Sequence, residues 1–534
     1  MKRVRRVRLE ATAAALGLAL FACAGESGSG GVSTDDDVID ESAGDEAIAV
    51  LTGKASGVAV IAAYTDGSDV DAVTEALRDD YQLIVTSRYH DLVRGAAFIA
   101  PDEGTVALIA ADPRVLELSR DRLLSFDDGG AMADLAADLE AAGDAGEIDP
   151  DMETMIEAGS AVTGGGSGDH SIKELTPQKP STGWRLIGGP DAPGDGRGMV
   201  VAVLDSGVDY NHPDLARNIH GSMRKDCLRR TNKTSMDFNG HGTHVAGIIA
   251  AIDNGFGTVG IAPRATIVPV RVLDRHNNGT ASSMLCGLDY VARRSSKIDA
   301  VNMSIQSECG EPCVRTWPRA QVEAVRTIIR RGVFLAGCAG NFGTDVESSF
   351  PGFIDEVVTV SNYADLDGKI SRTDHFNPSS NFGRGVDIGG PGTLIMSTWI
   401  NEKDKSVFRF DTGCSMATPF VTGAAVVYKQ VFGGKPSAIR ERLIGDARTS
   451  YPGRGKRHAE RLLHLAAATG GGSGEGCGNG VCSADETDAT CADDCGCAAA
   501  LDCNGVSPFG CYCDPNCAAQ GDCCADAAAA CPAE

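Results

Sequence analysis

Between about Trp184 and Ala468, short apolar runs alternate with longer helical stretches, and this order constrains the fold more than any other feature of the 534-residue chain. Alternating strands and helices predict an α/β fold with a mostly parallel sheet that helices cover on both faces. Functional groups are expected where the strands end, at the carboxyl edge of the sheet. The predicted segments are Met199–Leu204, His241–Ala251, Thr266–Leu273, Ser282–Arg294, Ala300–Ile305, Arg319–Arg331, Val333–Ala336, Val357–Val360 and Ser415–Val431.

A smaller folding unit is predicted ahead of this region, over residues 56–125. Its patterns predict four strands and two helices, an α+β domain with both helices on one face of the sheet. The segments are Val58–Tyr64, Val70–Leu77, Leu83–Val85, Ala96–Ala100, Gly104–Ala111 and Val115–Leu118. The flanking residues 25–55 and 126–180 are rich in small and acidic residues, so we expect flexible linkers there, with processing cuts in the second.

The first 24 residues have the pattern of an export signal. A basic stretch, Lys2–Arg8, precedes the apolar run Ala11–Ala22, which is too short to span a bilayer. The residues that end at Cys23 are similar to a bacterial lipobox, in which the cysteine becomes a lipid anchor. Cleavage after Ala24 fits almost as well, and both alternatives stay open. We therefore expect a secreted protein, free or lipid-anchored, without a transmembrane helix.

Charge and cysteine content exclude some classes of function. The formal net charge is -25, from 48 basic and 73 acidic side chains, so nucleic acid and anionic membranes are not expected partners. Twelve of the 19 cysteines lie between Cys477 and Cys531, behind a Gly-rich linker over 469–476. Such density in an exported protein favours disulfides over zinc, the competing interpretation.

Three separated segments together offer the groups that peptide hydrolysis by an activated hydroxyl requires. Asp205 ends an apolar strand, so its carboxylate is expected at the carboxyl edge of the sheet. His241 lies in the glycine-rich segment Asn239–Gly247. Ser415 lies in Gly413–Pro419 at the start of an apolar helix, where the positive helix end favours a negative intermediate.

These residues and their order resemble the subtilisin family of serine proteases. The resemblance covers most of residues 184–431 and is closest to the proteinase K-like members through Val268–Asp274 and Gly287–Val291. It implies a serine endopeptidase, a hydrolase that cleaves polypeptide substrates through an acyl-enzyme. The resemblance implies that catalysis requires no cofactor.

The resemblance also implies a role for each residue of the site. Ser415 is the nucleophile, His241 accepts its proton and later protonates the leaving amine, and Asp205 holds the imidazole in the required tautomer. Asn341, in the segment Ala-Gly-Asn, matches the residue that donates a side-chain hydrogen bond to the oxyanion, with the backbone N–H of Ser415 as the second donor.

Two further parts of the chain resemble known modules. The order of elements over residues 56–125 is similar to the inhibitor-type propeptide of subtilases, which implies a zymogen whose own propeptide is an intramolecular inhibitor. The eight cysteines within residues 497–531 resemble a somatomedin B domain, preceded by a four-cysteine module over 477–496. This tail has no histidine and no basic residue, so we expect an appendage that binds a protein partner or stabilises the protein, not a second catalytic site.

The resemblance assigns substrate binding to two segments. One is Ser304, Ile305 and Gln306, which is expected to pair with the peptide main chain, and the other is Cys338, Ala339 and Gly340, beside the primary specificity pocket. Cys338 and Cys414, the residue before the nucleophile, raise three alternatives: inert burial, a bridge, or redox-sensitive activity. We favour inert burial, because buried thiols behave as small apolar groups.

A turn after the His241 helix has the length and Asn placement of a calcium loop in some subtilisins. The ligands it implies are Asp214, Asn254 and the carbonyl groups of Ile252, Phe256 and Thr258. The alternative is a turn without a ligand.

Three functions stay open on the sequence alone. The chain is expected to be an active endopeptidase. The alternatives are a subtilase-shaped binding protein that has lost activity and a surface adhesive whose tail is the functional part.

Overall fold

The computed structural model describes residues 46–125 except Asp66, residues 169–465 except 229–233, 310–311, 402 and 404, and the backbone of Gly505–Val506 and Tyr512–Cys513. The predicted signal peptide with Cys23, most of both linkers and nearly all of the cysteine-rich tail lie outside the described residues. None of the helices in the described ranges is long and apolar enough to cross a bilayer.

The first described region is a small α+β domain. Its elements are α1 (Glu46–Leu51), β1 (Val58–Tyr64), α2 (Val70–Tyr81), β2 (Ile84–Tyr89), β3 (Gly95–Ala100), α3 (Glu103–Ala110), β4 (Val115–Arg120) and β5 (Leu123–Ser125). Four strands form an antiparallel sheet in the order β2-β3-β1-β4. Val60 and Phe98 pack with α2 and α3, whereas Ile61 and Ala97 face the opposite side, as the alternation of strand side chains requires. These elements overlap the predicted segments, and α2 and α3 lie on the same face of the sheet.

The linker predicted over 25–55 ends earlier than expected. Residues 46–51 form α1, because Ala47 and Ile48 bury their side chains. A few apolar residues are enough to pack this helix against the domain, although the segment around them is rich in small and acidic residues. The prediction used the average composition of the segment and therefore missed them.

The linker predicted over 126–180 is also shorter than expected. Leu175 is fully buried in a cluster with Met396 and Phe408, and His170 forms an antiparallel bridge with Phe408. Residues 169–180 therefore belong to the larger domain.

The larger domain alternates strands and helices. Its elements are α4 (Thr182–Leu186), β6 (Val200–Asp205), β7 (Lys225–Asp226), α5 (His241–Ala250), β8 (Thr266–Arg271), β9 (Asn278–Thr280), α6 (Ala281–Ala292), β10 (Ala300–Met303), β11 (Ser307–Glu308), α7 (Cys313–Thr316), α8 (Arg319–Arg330), β12 (Phe334–Cys338), β13 (Ser349–Phe350), β14 (Val358–Ala364), β15 (His375–Phe376), β16 (Ile388–Pro391), β17 (Ile395–Ile400), β18 (Ser406–Asp411), α9 (Cys414–Phe432), α10 (Pro436–Asp446) and β19 (Arg461–Leu462). Within the described residues, three short 3₁₀ helices are Gly189–Asp191, Ala216–Asn218 and Val346–Ser348. In the tail, β20 (Gly505–Val506) pairs antiparallel with β21 (Tyr512–Cys513).

The central sheet is parallel in the order β19-β16-β14-β12-β10-β6-β8-β7, and among the described strands only β15 joins it antiparallel, against β14. Alternate strand residues pack under α5, α9 and α10 on one face and under α6 and α8 on the other. The predicted parallel sheet covered on both faces is therefore confirmed. The carboxyl ends of β6, β10 and β12 are neighbours, which brings together the chain after Asp205, Met303 and Cys338.

Candidate active site

A carboxylate and an imidazole meet at the carboxyl edge of this sheet. Asp205 is the last residue of β6, and His241 is the first residue of α5. The distance from His241 Nδ1 to Asp205 Oδ1 is 2.8 Å, and both side chains are buried. Gly240 lets α5 begin here, since its φ of 114° favours glycine and an added Cβ would overlap the ring of Trp399.

The electrostatic surroundings favour the protonated form of His241. Burial lowers the pKa of the imidazole, and the adjacent carboxylate of Asp205 raises it by its charge and by the hydrogen bond. The carboxylates of Asp411 and Asp237 add to this effect, so the pKa lies above the ordinary 6.5.

The loop that precedes His241 is organised by a buried carboxylate that our sequence analysis did not identify. Asp237 Oδ1 accepts hydrogen bonds from the backbone N–H groups of Asn239 and Gly240, both at 2.9 Å. Its Oδ2 accepts from the backbone N–H of Thr243 at 2.9 Å and from its hydroxyl at 2.7 Å. An Asp four residues before the histidine, in a segment of turn residues, was the available signal.

Ser415 lies beside the chain that leaves β10. It is the second residue of α9, which packs against α5 in the same apolar cluster. Its Oγ donates to the carbonyl oxygen of Ser304 at 3.4 Å, and the hydroxyl of Ser304 donates to the carbonyl oxygen of Ser415 at 2.7 Å. Asn302 reinforces this contact, because its amide donates to Ser304 Oγ at 2.9 Å and accepts from Thr422 at 2.8 Å. Ser415 is thus fixed at the same sheet edge as His241.

The side chain of Asn341 presents an unused donor next to Ser415. Its Oδ1 accepts from the backbone N–H of Cys414 at 2.9 Å, and since that partner is a donor, Nδ2 must point the other way. Nδ2 is buried, and no acceptor in the described part of the chain lies within hydrogen-bond distance of it. A buried amide donor without an acceptor is what an oxyanion site requires.

The residues predicted to bind substrate surround this point. Ser304, Ile305 and Gln306 are all fully buried, and Gln306 Oε1 accepts from the backbone N–H of Asn341 at 2.6 Å. The side chain of Gln306 therefore fills space beside Asn341.

The expectation that Cys338 and Cys414 are separate, inert thiols is wrong. The two residues form a disulfide, with their Cα atoms 5.3 Å apart. Cys338 ends β12 and Cys414 begins α9, and both termini meet at the sheet edge although 76 residues separate them. Ala339 and Gly340 continue from Cys338, and the N–H of Gly340 points at Cys414 Sγ, 3.3 Å away.

The turn predicted to bind calcium closes around Asp214. The amide of Asn254 lies 2.9 Å from one carboxylate oxygen, and the N–H of Thr258 lies 3.0 Å from the other. The amide of Gln178 lies 2.8 Å from the carbonyl oxygen of Ile252 and 2.5 Å from that of Thr258. Burial raises the pKa of Asp214 to about 7.

Phe256 lies in the same turn, where its N–H donates to Asn254 Oδ1 at 3.2 Å. Sequence reasoning missed Gln178, which reaches the turn from a segment predicted to be a linker. The donor set, one carboxylate with side-chain amides and carbonyl groups, has the chemistry that calcium prefers.

Parts of the chain are similar to known proteases. The model of the subtilase family matches residues 196–480. The chain is 36% identical over 242 residues to an intracellular serine protease of Paenibacillus polymyxa, covering 44% of this chain and 68% of that protein. It is 33% identical over 232 residues to thermitase of Thermoactinomyces vulgaris, covering 43% and 75%. A crystal structure of a cold adapted subtilisin-like serine proteinase aligns with 30% identity and a TM-score of 0.44, covering 52% of this chain and 92% of that one.

Proposed function

The chain belongs to the subtilase family of serine proteases, and we propose that it is a secreted endopeptidase made as a zymogen, with Asp205, His241 and Ser415 as its catalytic triad. The observation that carries the assignment is the hydrogen bond between His241 Nδ1 and Asp205 Oδ1 at the sheet edge where Ser415 also lies.

In the proposed mechanism, Ser415 Oγ attacks the scissile carbonyl carbon while His241 takes its proton at Nε2 and then delivers it to the leaving amine. Asp205 keeps Nδ1 protonated and stabilises the imidazolium. The oxyanion is held by Asn341 Nδ2 and by the backbone N–H of Ser415, at the positive end of α9. Water then releases the acyl group by the same steps in reverse order. This mechanism also needs a hydrogen bond from Ser415 Oγ to His241 Nε2, whereas in the structure Ser415 Oγ donates to the carbonyl oxygen of Ser304.

Hydrolysis of internally quenched peptides tests the assignment. The Ser415→Ala variant is expected to lose at least about 1,000-fold in kcat, because the nucleophile is gone. Ser437→Ala, an exposed serine on α10, is the matched control and should retain the parent rate. Equal rates for parent and Ser415→Ala would contradict the assignment.

We propose further that residues 56–125 are the inhibitory propeptide. Support comes from β5, which pairs antiparallel with β9, with Leu124 opposite Gly279. The chain just before β9 adjoins the His241 loop, because the amide of Asn239 donates to the carbonyl oxygen of Arg275 at 3.0 Å. The end of the small domain thus runs as an added strand along β9, and the residues just before β9 contact the loop that carries His241.

The small domain also docks on the helices of the larger one. Asp289 on α6 accepts from the backbone N–H groups of Asp91 and Leu92, at 2.8 and 3.0 Å. Tyr89 is fully buried and its hydroxyl donates to the carbonyl oxygen of Ser282 at 3.1 Å. Asp91 forms an ion pair with Arg331. This interface combines apolar burial with opposite charges, as a specific intramolecular inhibitor requires.

Self-processing gives a direct test of the zymogen. Parent protein is expected to shorten by cleavage within residues 126–180, whereas Ser415→Ala should stay at full length, as followed by intact-mass spectrometry. Addition of a trace of mature parent to the Ser415→Ala precursor then separates cleavage in trans from self-cleavage. Complete processing of purified Ser415→Ala without added protease would exclude self-cleavage.

We propose that calcium binds at Asp214, held also by Asn254, Gln178 and the carbonyl groups of the 252–258 turn. Rotating the side-chain amides of Asn254 and Gln178 by 180° points their oxygens at the ion. The bound calcium then neutralises the buried carboxylate of Asp214 and connects the turn to the segment that carries Gln178. The ion has no part in the chemical step.

Thermal unfolding in calcium and in chelator tests the calcium site. Free calcium at 100 times Kd should raise the free energy of unfolding by about 2.7 kcal/mol. Asp214→Asn should remove this response, and Asp253→Asn, an exposed carboxylate in the same turn, should keep it. A calcium response that survives in Asp214→Asn would place the ion elsewhere.

Export and the tail complete the proposal. We propose that the signal peptide directs secretion, with Cys23 as a lipid anchor where it is acylated, and that residues 477–531 bind a protein partner through two disulfide-linked modules, the second similar to somatomedin B. Cell fractionation of Cys23→Ser tests the anchor. Release of an otherwise membrane-bound protein into the medium supports lipidation, and an unchanged distribution contradicts it.

A further inference from the structure

The disulfide between Cys338 and Cys414 links the two segments that would hold the oxyanion. Cys414 directly precedes Ser415, and Cys338 lies three residues before Asn341. Cys338 Sγ lies 3.9 Å from Ser415 Oγ, so the bridge borders the nucleophile itself. The backbone N–H of Cys414 also bonds to Asn341 Oδ1, which sets the direction of the opposite Nδ2 donor.

We propose that this disulfide is a redox-sensitive tie that sets the spacing between Asn341 and Ser415, so that the peptidase turns over when the pair is oxidised and loses turnover when it is reduced. The inference rests on the proposed peptidase function and names a regulation of that same site.

The physical reason is the space that two thiols need. Two sulfur atoms that are not bonded must lie roughly 1.5 Å further apart than the two atoms of a disulfide. Cys338 and Cys414 are both fully buried in close-packed surroundings. On the far side, the side-chain amide of Asn381 donates to the carbonyl oxygen of Ala339 at 3.0 Å, and the backbone N–H of Asn381 donates to that of Gly340 at 2.9 Å.

The added separation is therefore taken up between the segment that carries Asn341 and the start of α9. A displacement of about 1 Å in a catalytic constellation lowers turnover by roughly 100-fold. Cys338, Ala339 and Gly340 also border the expected specificity pocket, and Gln306 accepts a hydrogen bond from the backbone N–H of Asn341, so the same displacement also affects KM. The expected signature is a loss in kcat, whatever the change in KM.

The covalent step needs a dithiol as the reductant. One of its thiolates attacks a sulfur of the bridge and forms a mixed disulfide, and its second thiol displaces the protein sulfur. The protein gains two electrons and two protons as Cys338 and Cys414 become thiols, and the reagent becomes a cyclic disulfide. Because both sulfur atoms are buried, the reductant reaches them only when the protein opens locally around the bridge.

The test compares kcat and KM of fully matured protein before and after dithiothreitol, with thiol alkylation and peptide mapping to count reduced Cys338 and Cys414. Reduction should lower kcat by about 10- to 100-fold, and reoxidation should restore it. The Cys338→Ala/Cys414→Ala variant should give the same ratio of rates with and without dithiothreitol, whatever its basal rate. It keeps every other cysteine, so it also controls for reduction elsewhere.

Cys227→Ala/Cys286→Ala, which removes another disulfide of the same domain, should keep the response to dithiothreitol. An unchanged kcat with the 338–414 pair fully reduced would overturn the inference, as would a pair that stays oxidised throughout or an equal loss in Cys338→Ala/Cys414→Ala. Absence of any activity in the oxidised parent would instead contradict the proposed function.

Discussion

Replacing Asp237 with Asn tests whether the buried carboxylate behind the active-site loop holds the imidazole in place. One oxygen of Asp237 accepts from Ser206 Oγ and from the N–H groups of Asn239 and Gly240, all at 2.9 Å. The other accepts from the N–H and the hydroxyl of Thr243. The side chain acts only as an acceptor, for five donors.

An Asn side chain has nearly the same shape but only one acceptor oxygen. If that oxygen keeps its three donors, the new NH₂ group faces the backbone N–H of Thr243. Both groups are donors, and a backbone N–H cannot become an acceptor. A buried N–H without a partner costs about 1–3 kcal/mol, and the loss of charge weakens the other bonds by roughly 1–2 kcal/mol in total. We therefore expect Asp237→Asn to lower the free energy of unfolding by about 2–5 kcal/mol, or Tm by about 5–15 °C.

Tm should be measured in the Ser415→Ala background, so that autolysis does not contribute. Asp191→Asn, an exposed carboxylate of the same domain, is the matched control and should leave Tm within about 1 °C. In the active background, kcat of Asp237→Asn should fall, because the start of α5 carries His241. A Tm within 2 °C of the parent, together with an unchanged kcat, would show that Asp237 does not hold the His241 loop in place.

Two further predictions concern pH and the propeptide. Catalysis needs neutral His241, whose pKa is raised, so kcat/KM should fall as the pH drops through a midpoint above 6.5. Asp411→Asn removes one of the charges that raise this pKa and should move the midpoint to lower pH. An unchanged midpoint in the kcat/KM profile of the variant would contradict the effect assigned to Asp411. Leu124→Ala should weaken docking of the small domain by about 2–4 kcal/mol, because the side chain is fully buried, and so shorten the lag before peptidase activity. Leu116→Ala, 68% exposed on the same domain, should leave the lag unchanged, and equal lags for the two variants would show that Leu124 is not part of the inhibitory contact.

The sequence predicted those parts of the site whose signal is local. Asp205 follows the five apolar residues of β6, His241 begins a helix directly after Gly240, and Ser415 is the second residue of a helix that follows Gly413, so their places at the sheet edge follow from strand and helix patterns alone. The parallel sheet was equally predictable from alternating segments.

What could not be predicted depends on contacts between remote segments. The 338–414 disulfide requires the ends of β12 and the start of α9 to converge, and no local pattern distinguishes it from two buried thiols. Gln178 contacts the 252–258 turn from a segment whose composition resembles a linker. Such pairings are set by the packed fold, not by propensity or periodicity.

The central claim is that Ser415 is a hydroxyl activated by His241 and Asp205. The most direct measurement is peptide mapping of fully matured protein after reaction with a fluorophosphonate. We expect one adduct per molecule, on Ser415, with a labelling rate that falls strongly in Asp205→Asn. An adduct on another residue, or labelling of Ser415 at the same rate in Asp205→Asn, would contradict it.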